Sequence, residues 1–350
     1  MAYLSISELK AQFAIASGKI AGNLDNRDSE YGAIQALNYT PTFILPSKIQ
    51  ELQVAQKTIT EIPYLPKKVT TFTDGDVLCD FPAEKSTSAK MNLIWKNLTP
   101  SLGWAVNKDE IANNVFKEAE LMAFEMESFF TNAYKSIDSD IIAFFETNRT
   151  AINQYPLFVP PIVSSVQVPN VDKATLYQKM KVMMKLNDYA MENNVVVSNT
   201  NSIDNRTFFE AQGNGNATNY GYQFAGFDRK TSNRVLNGVG AAETHYAFQK
   251  GSVAMIPWSY GEFFERNGTT NKSGIDGDVF YSMPDANFPS LLKWTIHRKQ
   301  NCTDADFEGF SNRPMASEVV KYQISCTYAL AYAPITGLGA SPIHKVELMS

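Results

Sequence analysis

Cysteine, histidine and charge are all scarce in this sequence. The 350 residues include only three cysteines and three histidines, and charged residues make up 19%. Three scattered cysteines do not support a disulfide framework, so we expect folding in a reducing compartment. No apolar run approaches the roughly 18–20 residues that span a bilayer, and the N-terminus lacks the pattern of a secretory signal. The sequence therefore predicts no membrane partner and no disulfide-rich secreted fold.

Basic residues are also few and dispersed. The net charge is −5, and basic residues adjoin one another only in pairs, at 67–68, 229–230 and 298–299. A dedicated nucleic-acid binder needs clustered basic side chains that displace counterions from phosphate, which argues against that class. This balance of charges is still compatible with a surface that lines a DNA-filled cavity without binding the DNA tightly. Abundant Asn, Thr, Ser and Tyr suit extensive subunit contacts, although an ordinary protein from an AT-rich genome has the same composition.

Motifs for catalysis or ligand binding are missing as well. His245 and His297 have no metal ligand at helical spacing, and His344 has only Glu347 on what reads as a polar C-terminal tail. The glycines around 213–215 lack the context of a phosphate loop. The acidic turn at 271–278 lacks the spacing of a calcium loop. We therefore assign no catalytic, cofactor-binding or metal-binding residue, and expect no enzyme and no cofactor.

The strongest local pattern is a helix over residues 109–147. No proline or glycine interrupts it. Apolar residues recur at spacings of three and four, which predicts a helix roughly 45–55 Å long. One predicted face carries Ala119, Met122, Met126, Phe129 and Ala133, and a second carries Phe116, Ala123 and Phe130.

The region before this helix reads as strands. Residues 69–73 and 77–81 are rich in β-branched and apolar side chains and flank a turn at Asp74-Gly75, and 91–96 is a further strand. Residues 61–106 have too few apolar side chains for a core of their own and predict a long β-loop. Residues 1–60 read as an arm that lies on a neighbouring molecule.

After the helix, prolines between residues 155 and 169 predict an extended crossing. Asp172 is the predicted cap of a second helix whose apolar face holds Leu176, Met180, Met183 and Ala190. Val195–Val197 reads as a buried strand, and 198–240 reads as a large Asn- and Gly-rich loop. Further strands are predicted at residues 244–249, 252–258, 290–298 and 317–333, the last crossing a central sheet. Cys79 and Cys326 are expected to be small core residues.

This order of elements resembles the HK97-type major capsid protein of tailed bacteriophages. The resemblance covers nearly the whole chain and rests on the order of elements, with the 248–258 strands similar to strand pairs of that family. It implies an α+β fold with an N-terminal arm (1–60), an extended β-loop (61–106), and a peripheral domain with a spine helix (107–169). An axial domain with a loop-rich insertion (170–288) and C-terminal strands returning to the peripheral domain (289–350) complete it.

The resemblance also implies a function. A subunit of this kind forms hexamers and pentamers of an icosahedral head around double-stranded DNA, in a virion assembled in the bacterial cytoplasm. Portal, scaffolding and decoration proteins are possible partners, and DNA is a non-specific neighbour. Some members cross-link a lysine of the extended loop, where Lys85 and Lys90 lie here, but nothing in the sequence marks either as reactive.

Two other self-assembling classes compete with this interpretation. An encapsulin-like compartment shares the fold and differs in carrying cargo on its inner wall. A phage tail-tube or baseplate component predicts a β-sandwich or barrel without a long helix.

Overall fold

The computed structural model describes eleven segments of the chain, together with the single residues 11, 85 and 189. The segments are 31–54, 61–64, 88–100, 104–107, 118–150, 165–186, 193–204, 227–259, 279–300, 319–333 and 341–350. The strands predicted at 69–73 and 77–81, the loops at 213–215 and 271–278, and Cys79 and Ala190 lie outside these residues.

Four α-helices and thirteen strands are described. The helices are α1 (Gly32–Ala36), α2 (Pro46–Val54), α3 (Glu118–Thr147) and α4 (Leu176–Leu186), the last preceded by a 3₁₀ helix (Asn170–Thr175). The first seven strands are β1 (Glu61–Tyr64), β2 (Ala89–Asn92), β3 (Ile94–Leu98), β4 (Trp104–Asn107), β5 (Val166–Val168), β6 (Asn194–Ser198) and β7 (Asp228–Thr231). The others are β8 (Ala241–Gln249), β9 (Val253–Trp258), β10 (Val279–Pro284), β11 (Lys293–Gln300), β12 (Val319–Tyr332) and β13 (His344–Met349). The mixture confirms the α+β class.

Helix α3 confirms the predicted long helix from Glu118 onward, and residues 109–117 lie outside the described part. Its 30 residues correspond to about 45 Å. Met126 and Phe130, taken from the two predicted faces, are both fully buried. The faces merge because α3 is covered by a sheet on each side.

The first of these sheets, sheet I, is built around β12. Cys326 pairs with Trp294 of β11 and with Leu98 of β3, so these strands lie on opposite edges of β12. Strand β9 continues the β11 edge, β4 continues the β3 edge, and β10 pairs outside β11. The prediction that the late strand crosses a central sheet is confirmed.

Sheet II has the strand order β5-β13-β8-β6-β7. The β5–β13 and β6–β7 pairs are parallel and the others antiparallel. The predicted buried strand at Val195–Val197 is confirmed as β6. The predicted polar tail at His344 is wrong, because β13 is buried inside this sheet.

A turn at Lys250-Gly251 joins β8 to β9, but these two strands do not pair. Strand β8 belongs to sheet II and β9 to sheet I, so the predicted 248–258 strand pair is wrong. Gly251 has φ +76°, and a Cβ there would lie 2.6 Å from the backbone oxygen of Thr40. The chain turns here from one sheet to the other against residues 40–42.

The described core is layered. Helix α3 and α1 lie between the inner faces of the two sheets. The outer face of sheet II is covered by α4 through Leu176, Met180 and Met183, which confirms these members of the predicted apolar face. The outer face of sheet I is covered by α2 and the β1–β2 pair.

Two other expectations differ from the structure. Within the range predicted as an arm, Tyr31, Ile34 and Leu37 are buried in the core of their own chain, so this part does not depend on a neighbour. Asp172 does not cap α4, which begins at Leu176; it lies in the 3₁₀ helix and pairs with Lys179 at 2.5 Å. None of the described helices is long and apolar enough to cross a membrane.

Substitution of Gly32 tests how closely α1 approaches β7. A Cβ at Gly32 would lie 2.2 Å from the backbone oxygen of Thr231, which cannot swing away as a side chain can. We expect Gly32→Ala to lower the free energy of unfolding by about 1–3 kcal/mol, measured by urea denaturation. Gln35→Ala on the same helix is the control, with an expected change within about 0.5 kcal/mol. Equal effects of the two substitutions would contradict the close approach.

Candidate functional site

The buried carboxylate of Asp138 joins three segments of the chain. Its side chain is fully buried on α3, and Oδ1 accepts hydrogen bonds from the backbone amides of Ala33 (2.9 Å) and Ile34 (3.3 Å). Oδ2 accepts one from the Ser232 hydroxyl at 2.5 Å, and the Arg234 guanidinium lies 3.7 Å away. Burial raises the pKa of Asp138, while these four groups favour the charged form. The carboxylate thus caps α1 and fixes residues 232–234 against α3.

A second buried carboxylate, Asp285, holds the turn between β10 and β11 against α3. It accepts hydrogen bonds from the indole of Trp294 (2.7 Å), the hydroxyl of Tyr134, and the backbone amides of Asn287 and Phe288 (both 2.8 Å). Four donors satisfy a group whose desolvation would otherwise be costly. The Trp294 and Tyr134 rings also meet edge to face, 6.2 Å apart.

Two further acidic residues on α3 each accept a hydrogen bond from one of the two sheets. Asp140 accepts a hydrogen bond from the hydroxyl of Tyr328 in β12 at 3.0 Å, which joins α3 to sheet I. Near the end of α3, Glu146 accepts one from Tyr246 at 2.5 Å and pairs with Lys345 at 3.2 Å, both in sheet II. Although burial opposes it, Tyr246, Lys345 and Arg149 together lower the pKa of Glu146.

One cluster contains the residue types of a hydrolase triad. His245 Nδ1 lies 2.7 Å from the Ser198 hydroxyl, and its Nε2 lies 3.1 Å from a Glu243 oxygen. Ser198 is 1% exposed, His245 0% and Glu243 3%. A nucleophile must reach a substrate, and these groups are shut off beneath α4, where the Tyr177 ring packs edge-on against His245. The cluster therefore links β6 to β8 and presents no nucleophile.

The other residues considered from the sequence are separate from one another. His344 is buried in β13 beside the Tyr189 ring, and His297 lies in β11. Lys90 pairs with Glu61 across the base of the β1–β2 ribbon at 2.7 Å. Cys326 is buried, as predicted, and burial raises the pKa of its thiol. Within the described segments, no group of three or more potential metal ligands comes together.

The exposed apolar side chains are concentrated on one side of the molecule. Seven large ones are exposed among the described residues, and five of these lie on the 3₁₀ helix, on α4 or in the loop before β8: Val171, Val182, Leu186, Leu236 and Val239. The other two are Leu45 and Ile94. Scattered exposed apolar residues are ordinary, but a concentration indicates an interaction surface.

The loop that presents Leu236 and Val239 is fixed by hydrogen bonds. Asn237 donates to the carbonyl of Ala242 (3.1 Å), and the amide of Ala241 donates to the carbonyl of Gly238 (3.1 Å). The amide of Ser350 donates to the carbonyl of Gly240, which has φ +75°. Leu236 is 79% and Val239 102% exposed. Two apolar side chains are therefore held outward by an ordered loop, which lowers the entropic cost of a contact there.

Sequence reasoning missed the acids of α3. Asp138 lies in the buried stripe between Ile137 and Ile141, and an acid at a core position of an amphipathic helix was the available signal. The partners were not detectable, because Ala33 and Ser232 are about a hundred residues away on either side.

Comparisons with known proteins give loose structural similarities only. No protein-family model matches the sequence, and no curated protein matches it. A chain of Mycobacterium phage Cain is 12% identical, with a TM-score of 0.46 over 94% of this chain and 93% of that chain. The capsid structure of cyanophage P-SCSP1u is 11% identical, with a TM-score of 0.39 over 83% of this chain and 82% of that chain. The capsid of Ralstonia phage GP4 is 8% identical, with a TM-score of 0.41 over 83% of this chain and 84% of that chain. Two of these three structures are phage capsids, and we transfer no residue role from them.

The Asp138 network predicts a large cost for a small change. Asp138→Asn replaces one acceptor oxygen by an amide that faces Ser232 and Arg234. We expect a loss of about 1–3 kcal/mol in the free energy of unfolding, measured by urea denaturation. Asp140→Asn is the matched control, because Asp140 lies two residues further along α3 and is more exposed. Its expected loss in the free energy of unfolding is below about 1 kcal/mol. A larger loss for Asp140→Asn would contradict the assignment.

His344 predicts a pH dependence of stability. Burial lowers the pKa of its imidazole from the ordinary value of 6.5 to about 4. Between these values the unfolded chain binds a proton that the folded chain does not, so stability falls as the pH drops from about 6.5 towards 4. The loss attributable to this group is about 3 kcal/mol. Urea denaturation at several pH values in this range should show that the free energy of unfolding of His344→Gln changes less with pH than that of the wild type. An identical pH dependence of the two would contradict the assignment.

Proposed function

We propose that this chain is a major capsid subunit of the HK97 type, which assembles with copies of itself into the icosahedral head of a tailed bacteriophage around double-stranded DNA. The observation that carries the proposal is the arrangement around residues 65–88. Tyr64 pairs with Ala89 and Glu61 with Asn92, so a long excursion of the chain begins and ends at one fixed point of the body.

The base of this excursion is held by the body itself. Ile62, Met91 and Leu93 are buried against Ile256 and Ala329 of sheet I. Strand β2 runs on through Leu93 into β3, which pairs with β12. Both ends of the excursion are therefore fixed to the body, and an excursion of this length in a structured domain is usually functional. We assign the chain between β1 and β2 to the extended loop that overlaps a neighbouring subunit. The predicted range 61–106 is too long for this loop, because β3 and β4 pair with β12 inside sheet I.

The body is suited to a subunit under mechanical load. Helix α3 lies between two sheets and is bonded to both of them and to α1 through Asp138, Asp140 and Glu146. We assign it the role of spine in a peripheral domain (107–169), with residues 170–288 as the axial domain and 289–350 as returning strands. Residues before Tyr31 remain the proposed arm.

Two alternatives remain distinct from this proposal. A tail-tube or baseplate component predicts no long helix, and the 30-residue α3 disfavours it. An encapsulin-like compartment has the same fold and differs in what it encloses. In the favoured account the partners are other copies in hexamers and pentamers, with portal, scaffolding and decoration proteins as further candidates and the virion capsid as the location.

Deletion of the excursion tests the proposal. Residues 66–86 are replaced by a short Gly-Ser linker, which retains β1 and β2. We expect the variant to keep the circular dichroism and unfolding midpoint of the intact chain but to form no closed shells in negative-stain images, because the overlap with the neighbour is lost. A wild-type chain that stays monomeric under all assembly conditions, or a deletion variant that still closes shells, would contradict the proposal.

A replacement of equal length is the control for this deletion. Exchange of residues 66–86 for a Gly/Ser segment of the same length keeps the chain connectivity and removes the side chains. We expect it to fail in assembly as the deletion does, which would show that the sequence of the excursion matters and not its length alone.

A further inference from the structure

Helix α4 and the 3₁₀ helix before it form a basic surface on an acidic chain. Residues 170–186 contain four lysines and one aspartate, whereas the whole chain has a net charge of −5. Lys179 pairs with Asp172. Within the described part of the chain, no carboxylate pairs with Lys173, Lys181 or Lys185, which are exposed or partly exposed.

Apolar side chains lie among these lysines. Val171 is 89%, Val182 42% and Leu186 45% exposed. Because Val182 and Leu186 are four residues apart, they share one face of α4 with Lys185. A phosphate backbone offers nothing to bury such side chains against, and three lysines give few phosphate contacts. The mixture fits a protein surface that is acidic and partly apolar.

The same chain carries exposed acidic side chains near the start of α3. Residues 118–127 contain four glutamates and no lysine or arginine, with apolar residues between them. Glu125 is exposed and Glu127 partly exposed. Glu125 and Glu127 are complementary in charge to the lysines of α4.

The two surfaces cannot meet within one molecule. Helix α4 covers the outer face of sheet II. The inner face of that sheet packs against the far end of α3, where Phe145 contacts Tyr246 and Phe248. Glu125 is twenty residues earlier on the same helix, which is about 30 Å along its axis. A contact between these surfaces must therefore join two copies.

We propose that the α4 face of one copy binds Glu125 and Glu127 on α3 of a second copy. The contact is heterologous, so repetition of it builds a ring or an open array and not a closed pair. It rests on the proposed self-assembly and adds the surfaces through which it occurs. Because the charges are exposed, the contact weakens as ionic strength rises and accelerates encounter more than it adds affinity.

Charge exchange tests this contact. We expect Lys181→Glu/Lys185→Glu to lower the assembled fraction at about 0.1 M salt on the order of tenfold, measured by sedimentation velocity and negative-stain microscopy. Adding Glu125→Lys/Glu127→Lys to the same chain restores opposite charges with reversed sign, so the fourfold variant should assemble again. Lys48→Glu/Gln50→Glu on the exposed α2 adds comparable negative charge elsewhere and should assemble as the wild type does.

The outcomes separate this inference from the function on which it rests. Normal assembly of Lys181→Glu/Lys185→Glu, or failure of the fourfold variant to regain assembly with its circular dichroism unchanged, overturns the contact while the shell function stands. Failure of the wild type to assemble overturns both. Binding of α4 to DNA, seen as a salt-dependent shift that the lysine variant loses without loss of assembly, also overturns it.

Discussion

The fold depends on two buried carboxylates, Asp138 on α3 and Asp285 packed against α3, which must be matched by donors from distant segments. Asp138 is buried without access to water, and its donors come from residues 33–34 and 232–234. Leaving such a carboxylate unmatched costs several kcal/mol, so α3 cannot reach its buried position until these distant segments are in place. Asp285 imposes the same condition from the other side, through Tyr134. The hydrophobic effect supplies the driving force for the layers, and these carboxylates select one arrangement of them.

In that arrangement the core of the body is packed entirely by residues of its own chain, whereas some surfaces of the body are left exposed. Both faces of sheet I and both faces of sheet II are covered within the chain. Among the described residues, the body leaves exposed the apolar side chains held outward at one end of sheet II and a basic face on α4. The chain between β1 and β2 begins and ends at one fixed point of the body. In the proposed capsid subunit these are the points at which copies meet.

Part of this organisation was predictable from the sequence. Period and length predicted α3, β6 and β12, because their patterns are long and uninterrupted. The pairing of strands was harder to predict from the sequence. Residues 248–258 read as a strand pair, yet after the turn at Gly251 the chain passes from sheet II to sheet I, so β8 and β9 lie in different sheets. His344 read as a tail because its flanking polar residues, Lys345 and Glu347, satisfy one another inside the sheet at 3.0 Å. The burial of Tyr31 and Ile34 depended on Asp138, a contact across a hundred residues that no local pattern reveals.

Amide hydrogen exchange on the unassembled and the assembled chain tests the central claim most directly. If the body is complete in one molecule, the amides of Ala33, Ile34 and β12 are equally protected in both states, and protection in residues 65–88 rises only on assembly. Fast exchange of the Ala33 and Ile34 amides in the unassembled chain, or unchanged exchange in residues 65–88 after assembly, would contradict the account.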